Sequence, residues 1–95
     1  MLVELVQVTW YKERGKSHLQ LGKVYVNTKH IVSVRPDKEM DTLLREGRLI
    51  TELDPSHNFS VVAINSGDHT QDIRVVGSPA LIAEKCSKEK ILLKG

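Results

Sequence analysis

The chain has 95 residues, with 14 Lys and Arg against 12 Asp and Glu, a formal charge of +2, and 40% hydrophobic and 27% charged residues. That length predicts a single domain spanning residues 1–95 with a core of its own, and the small basic excess, with acidic residues interspersed, permits nucleic-acid binding without arguing for it. Aromatic residues are only 4%, so aliphatic side chains must fill the core; the single cysteine, Cys86, excludes an intramolecular disulfide and a cysteine-based zinc site and suits a reducing, cytoplasmic location.

Leu2 to Tyr11 alternates as a strand does, with Leu2, Val6, Val8 and Trp10 as the expected core face and Val3 and Leu5 suggesting partial cover of the other. Glu4 lies among these apolar residues and no cleavage-site pattern follows, so a secretion signal is not expected, and no apolar run approaches the ~18 residues of a membrane span. KERGK, Lys12 to Lys16, is a turn or exposed loop. Ser17 to Gly22 reads as a short strand or an ordered loop.

Lys23 to Val34 is expected to be the centre of the sheet: Val24, Tyr25 and Val26, then a tight turn beginning at Asn27, then Ile31, Val32 and Val34. Asn27 is a residue type that tolerates a left-handed backbone at such a turn. Pro36 cannot donate to a ladder and should end the second arm.

From Asp37 the pattern becomes helical, with Met40, Leu43 and Leu44 forming one apolar stripe, Asp37 able to cap the start and Gly47 the end; the alternative is a mobile charged loop. Arg48 to Leu53 resumes a strand-like run, and Asp54 to Asn58 is a dense turn cluster. Phe59 to Asn65 is nearly all apolar, as in a central strand covered on both faces. Asn65 to Asp68 should turn the chain, with His69 and Thr70 lengthening the loop, before Asp72 to Val76 returns as a strand. Ser78 and Pro79 then form a helix start, with Leu81, Ile82 and either Cys86 or the stem of Lys85 facing the sheet. The closing KILLKG reads either as a last edge strand or as added helix. The resulting fold class is α+β: a small, mainly antiparallel sheet or partly open barrel with one or two short helices.

Two stretches, VYVNTKHIVSV and VVGSPALIAEK, resemble the short flagellar FlbD-type family. The shared pattern is a strand through Tyr25 to Asn27, a turn, a second strand with Ile31 and Val34, then Val75 and Val76 leading through Ser78 into a helix bearing Ile82, Glu84 and Lys85. The resemblance spans about half of the chain, departs from the pattern at KERGKSHLQLG and at Asp37 to Gly47, and implies a small sheet-plus-helix module of non-enzymatic type; the family's flagellar role is not carried over.

The candidate chemistry is sparse. His18, His30, His57 and His69 all fall in expected loops or turns, and none stands at a metal-ligand spacing from another. Asp37, Glu39 and Asp41 alternate like the first ligands of a calcium loop, but Thr42 stands where the required glycine should be and Arg48 where the bidentate glutamate should be. Ser66, Asp68 and His69 are neighbours in one turn and cannot take the geometry of a triad, and no phosphate-cradling glycine motif is present. Neither an enzyme nor a cofactor is therefore expected. The expectation is a small non-catalytic interaction or regulatory protein that binds a protein partner or itself through an exposed sheet edge or the apolar helix faces. The alternative is a nucleic-acid-binding module. The candidate contact residues for a partner or for phosphates are Lys12, Arg14, Lys16, Lys29, Arg35, Lys88 and Lys90, with Trp10, Tyr11 or Tyr25 available for stacking.

Overall fold

A computed structural model describes the backbone of residues 1–94 and the side chains of residues 1–87. Two long strands, β1 (Leu2–Glu13) and β2 (Lys16–Asn27), form one hairpin, and a 3-10 turn (Thr28–His30) leads to β3 (Ile31–Pro36). Helix α1 (Lys38–Arg45) and the two-residue β4 (Leu49–Ile50) follow, then β5 (Phe59–Ser66), β6 (His69–Val76) and helix α2 (Pro79–Lys94). The sheet order is β3-β5-β6-β1-β2-β4, antiparallel except where β4 runs parallel to β2. This is the expected α+β class, an open and mainly antiparallel sheet with two helices.

The first turn shows why the hairpin closes where it does. Arg14 and Gly15 both have positive φ, 54° and 76°, and Glu13 pairs with Lys16, so the loop is a two-residue turn of the mirror-image kind that matches strand twist. Ser17 to Gly22 belongs to β2, which continues unbroken through Gly22 to Asn27.

The expected hairpin at Lys23 to Val34 does not form. Its two arms never pair: β2 pairs with β1 and β3 pairs with β5, which puts the arms near opposite margins of the sheet rather than at its centre. Asn27 is extended, not left-handed (φ −73°, ψ 118°), and its Oδ1 accepts from Lys29 N at 3.0 Å as the cap of the 3-10 turn. That turn redirects the chain out of the plane of β2, and the long β1 has already taken the neighbouring ladder position.

Apolar residues bury on both faces. Phe59 and Val62, three apart in β5, point to opposite sides and belong to two separate cores. One gathers Val3, Leu5, Val26, Val62, Ile73 and Val75 around Ile82 of α2; the other gathers Val8 and Phe59 around Met40 and Leu44 of α1. The strand β1 crosses between them, which corrects the expected core parity: Val3 and Leu5 are buried under α2, Val8 under α1, while Leu2 and Trp10 are exposed. Likewise, among the described side chains of α2, Ile82 and Cys86 reach the core, and Leu81 is exposed.

The segment Asp37 to Gly47 is a helix capped as expected: Asp37 Oδ1 accepts from Met40 N at 3.3 Å, and Gly47 leaves the helix at φ 71°. Two further bonds fix its base, Asp37 N to Phe59 O (2.9 Å) and Phe59 N to Asp41 Oδ1 (2.7 Å). The strand expected over Arg48 to Leu53 shrinks to Leu49 and Ile50, which pair with Ser17 and His18; the chain then leaves the ladder in a bend where Thr51 Oγ1 accepts from Leu53 N at 3.1 Å. His69 and Thr70 are in β6 rather than in the loop, since Gly67 (φ 68°) and Asp68 alone complete the turn between Ser66 and His69. His18 is likewise in a strand and His30 in the 3-10 turn, so of the four histidines only His57 is in a loop. Ser78 caps α2, its Oγ accepting from Leu81 N at 3.2 Å, and the helix runs on to Lys94, which settles the closing segment as helix rather than strand. Among the described residues, no helix is long and apolar enough to cross a membrane.

Candidate interaction surface

The β1–β2 hairpin extends well past the two cores and carries most of the exposed chemistry. At its tip Lys12, Arg14 and Lys16 are all exposed; Arg14 is in the turn and Lys16 on the face of Tyr11 and His18, whereas Lys12, opposite Ser17, is on the other face of the hairpin. Beside them Tyr11 and His18, cross-strand partners on one face, stack with ring centroids 5.0 Å apart and planes 9° from parallel. The stack opens onto a groove of about 460 Å³ with Leu19, Leu21 and Ile50 in its walls, and a neighbouring hollow reaches Arg14 and Lys16 past the same His18 and Ile50.

The other expected contact residues are elsewhere. Lys29 is in the 3-10 turn at the far end of β2, about 35 Å from the tip by the rise of a strand. Arg35, on β3, forms an ion pair with Asp72 at 2.8 Å. The side chains of Lys88 and Lys90 lie outside the described residues. Arg14 and Lys16 thus line one hollow, Lys12 stands on the other face of the same hairpin end, and Lys29 and Arg35 are apart from all three.

On the opposite face of the hairpin, even positions of β1 meet odd positions of β2. Leu2, Val6, Leu21 and Tyr25 form an apolar stripe there; Leu2 is 57% and Tyr25 60% exposed, and the Glu4–Lys23 ion pair (3.4 Å) crosses the middle. Toward the tip the stripe ends at Trp10, whose ring lies under the guanidinium of Arg74, 4.6 Å from the ring centroid. Arg74 Nε in turn approaches Asp37 Oδ2 at 3.2 Å, an ion pair without hydrogen-bond alignment, so this buried oxygen has charge compensation but no aligned donor. The chain Trp10–Arg74–Asp37 ties the hairpin to α1. Trp10 therefore contributes to holding the structure together as well as to its surface, a double role its sequence neighbours do not reveal.

Beside this stripe is the feature the sequence did not place. The outer edge of β2 pairs with β4 only at Ser17 and His18, and among the described residues no strand covers it from Leu19 to Asn27. Such an edge presents a row of unpaired main-chain donors and acceptors. The margin at β3 is blunted instead, by a bulge between Ile31 and Ser33 and by Pro36. Over the end of β2, on the face of the α2 core, is a cleft of about 540 Å³ lined by β2, Gln7 of β1, Gln71 and Ile73 of β6, the 3-10 turn and the β5–β6 turn.

Little here suggests acid–base or metal chemistry. Among the described residues no three His, Cys, Asp or Glu side chains gather as a metal site would require. Asp54 is held below the usual carboxylate range, chiefly by the Ser56 backbone N–H that its Oδ1 accepts from at 2.9 Å; it is fully exposed in the turn before β5. Compared with known protein families, with curated proteins and with solved structures, the chain matches none.

Proposed function

We propose that the chain is a non-catalytic interaction module that engages a protein partner, or a second copy of itself, through the uncovered edge of β2. The observation that carries this reading is the coincidence of an open strand edge with exposed Leu21 and Tyr25 on the same strand. Main-chain pairing supplies affinity along such an edge, and alternate side chains supply selectivity. Replacing Leu21→Asp together with Tyr25→Ser removes the apolar contacts at positions that carry no core, so the circular dichroism of the variant should match that of the parent. Size exclusion with light scattering, and capture of peptide ligands, should show association in the parent and lose it in the variant. A strictly monomeric parent that captures no ligand overturns the reading.

A second reading rests on a different observation, the stacked Tyr11–His18 pair beside Arg14 and Lys16, with Lys12 on the other face of the same hairpin end. Cations flanking exposed aromatic rings suit single-stranded nucleic acid, whose bases stack without sequence preference. Three phosphate contacts give a slope of about −2 in log affinity against log salt. Anisotropy of a labelled single-stranded oligonucleotide tests this. Reversing all three charges should abolish binding, and absence of binding by the parent at low salt ends this reading.

A further inference from the structure

On β1 the alternation that buries Val3 and Leu5 beneath α2 brings Gln7 next to the same face. A carboxamide thus stands where the stripe calls for another apolar side chain, and it is half-buried. Its ladder partner on β2 is Gly22, where a Cβ would meet nothing within 4 Å, so the partner strand supplies no side chain to cover it. Among the described residues, the Gln7 carboxamide makes no hydrogen bond. A polar group set into an apolar stripe without a partner of its own is a group available to a ligand.

The cleft of about 540 Å³ is built around this residue. In the order β5-β6-β1-β2, Gln7 is on a strand between two aliphatic walls, Ile64 and Ile73 on one side and Val24 and Val26 on the other. That volume is within the range of small-molecule sites, which pair apolar walls with a few placed polar groups. Asn27, Asn65 and Gln71 complete the lining, so four of the chain's six Asn and Gln residues converge on one opening. Asn27 Oδ1 is engaged as the cap of the 3-10 turn, whereas Asn65 and Gln71 are exposed and make no hydrogen bond among the described residues. The lining holds no Asp, Glu, Lys or Arg.

These features select a ligand by elimination. A charged molecule finds no counter-ion in the lining. A hydrocarbon leaves the Gln7 carboxamide unpaired, and a sugar, with hydroxyls all round, sets some of them against aliphatic walls. What fits is a flat, uncharged ring with an apolar face and a donor beside an acceptor on one edge. A carboxamide matches such an edge with two hydrogen bonds, as Asn and Gln do when they read adenine.

From this we infer that the cleft binds an uncharged nucleobase, as the free base or its nucleoside, with the base edge paired to Gln7 and the ring between the two aliphatic walls. The exposed carboxamides of Asn65 and Gln71 are donors and acceptors for the hydroxyls of a nucleoside. The phosphate of a nucleotide meets no cation there and adds no affinity. This inference is independent of the β2 edge and of the basic hairpin tip.

Saturation-transfer NMR on the intact protein tests it, with adenine, uracil, their nucleosides and nucleoside monophosphates, ribose, and the edge-blocked analogues N,N-dimethyladenine and dimethyluracil. Bases and nucleosides should bind, the monophosphates no more tightly than the nucleosides, and ribose and the methylated analogues not at all. Gln7→Leu, which completes the apolar stripe and should leave the circular dichroism unchanged, should weaken adenosine binding about tenfold or more. Gln7→Glu, of similar volume but without the donor, should weaken it as well, while Lys12→Ala and Arg14→Ala leave it unchanged. Binding of the methylated analogues as strong as that of the bases, or binding indifferent to both Gln7 substitutions, overturns the pairing. Tighter binding of the monophosphates that is lost in Arg14→Ala places the ligand at the hairpin tip and overturns the cleft, as does absence of binding by every base and nucleoside.

Discussion

Arg14 has the one positive φ among the described non-glycine residues, and its position explains its strain. The mirror-image turn requires left-handed backbone at both central residues, and a side chain there costs roughly 1 kcal/mol relative to glycine. Asn is better adapted to that region, and Asn-Gly is the preferred dipeptide for this turn. Arg14→Asn should therefore stabilise the fold by about 0.5 kcal/mol, read as a higher midpoint in urea with an unchanged slope. An unchanged or lowered midpoint would show that the arginine makes up for its backbone elsewhere. The same residue explains part of what the sequence made legible: KERGK announces a turn through its charge and glycine, but that Arg14 adopts the left-handed form depends on the pairing of Glu13 with Lys16 across it.

At the scale of the element, α1 is short and is held by its ends. Asp37 caps it through one carboxylate oxygen and meets Arg74 through the other, while the Asp37 amide donates to Phe59. Removing the side chain costs the cap, about 1 kcal/mol, and leaves Arg74 without its partner. Arg74 remains part-exposed and keeps its contact with Trp10, which limits the second loss. Asp37→Ala should destabilise by about 2 kcal/mol and Asp37→Asn, which retains a capping oxygen, by about 1, as measured by chemical denaturation. Equal losses would assign the whole effect to the charge. The helix was readable from Asp37, from the spacing of Met40, Leu43 and Leu44, and from Gly47, because caps and stripes are local signals. The arms at Val24 to Val26 and Ile31 to Val34 were readable as strands, yet their partners were not: apolar alternation fixes neither a neighbour nor a sheet position, and β1 and β5 lie far away in sequence. The parity of β1 misled for a related reason, since a strand that passes under α2 and then under α1 changes its buried face partway along.

Across the whole molecule, β1 and β6 are joined in register at one point only, Gln7 opposite Val75. The three-stranded unit β3-β5-β6 and the long hairpin thus share two cores, reaching as far as Val8 and Leu19, and the Trp10–Arg74 contact, while the tip beyond Trp10 stands outside both cores. Hydrogen exchange should divide accordingly. Amides of Val3, Leu5, Val62, Ile73 and Val75 should exchange only by global opening, whereas those from Tyr11 to His18 should exchange by local fraying at far lower protection. Uniform protection along the hairpin would show that something covers its distal half. The candidate surfaces were less legible than the fold because their residues are ordinary. Gln7, Asn27, Asn65 and Gln71 are spread through the sequence with no shared spacing, and only the coiling of the sheet collects them. Tyr11 and His18 likewise meet through the register of a hairpin whose second strand extends farther than its composition implies.

The 3-10 turn Thr28–His30 joins β2 to β3 with three residues, although those strands stand near opposite margins of the sheet. Asn27 to Ile31 is four residue steps, at most about 14 Å, so the sheet must coil until its two margins approach each other at that end. The face turned inward by this coiling is the one on which Ile82 of α2 meets Val3, Leu5 and Val62. The connection thus sets the curvature of the whole sheet: lengthening it relaxes the coil, and shortening it pulls a ladder apart.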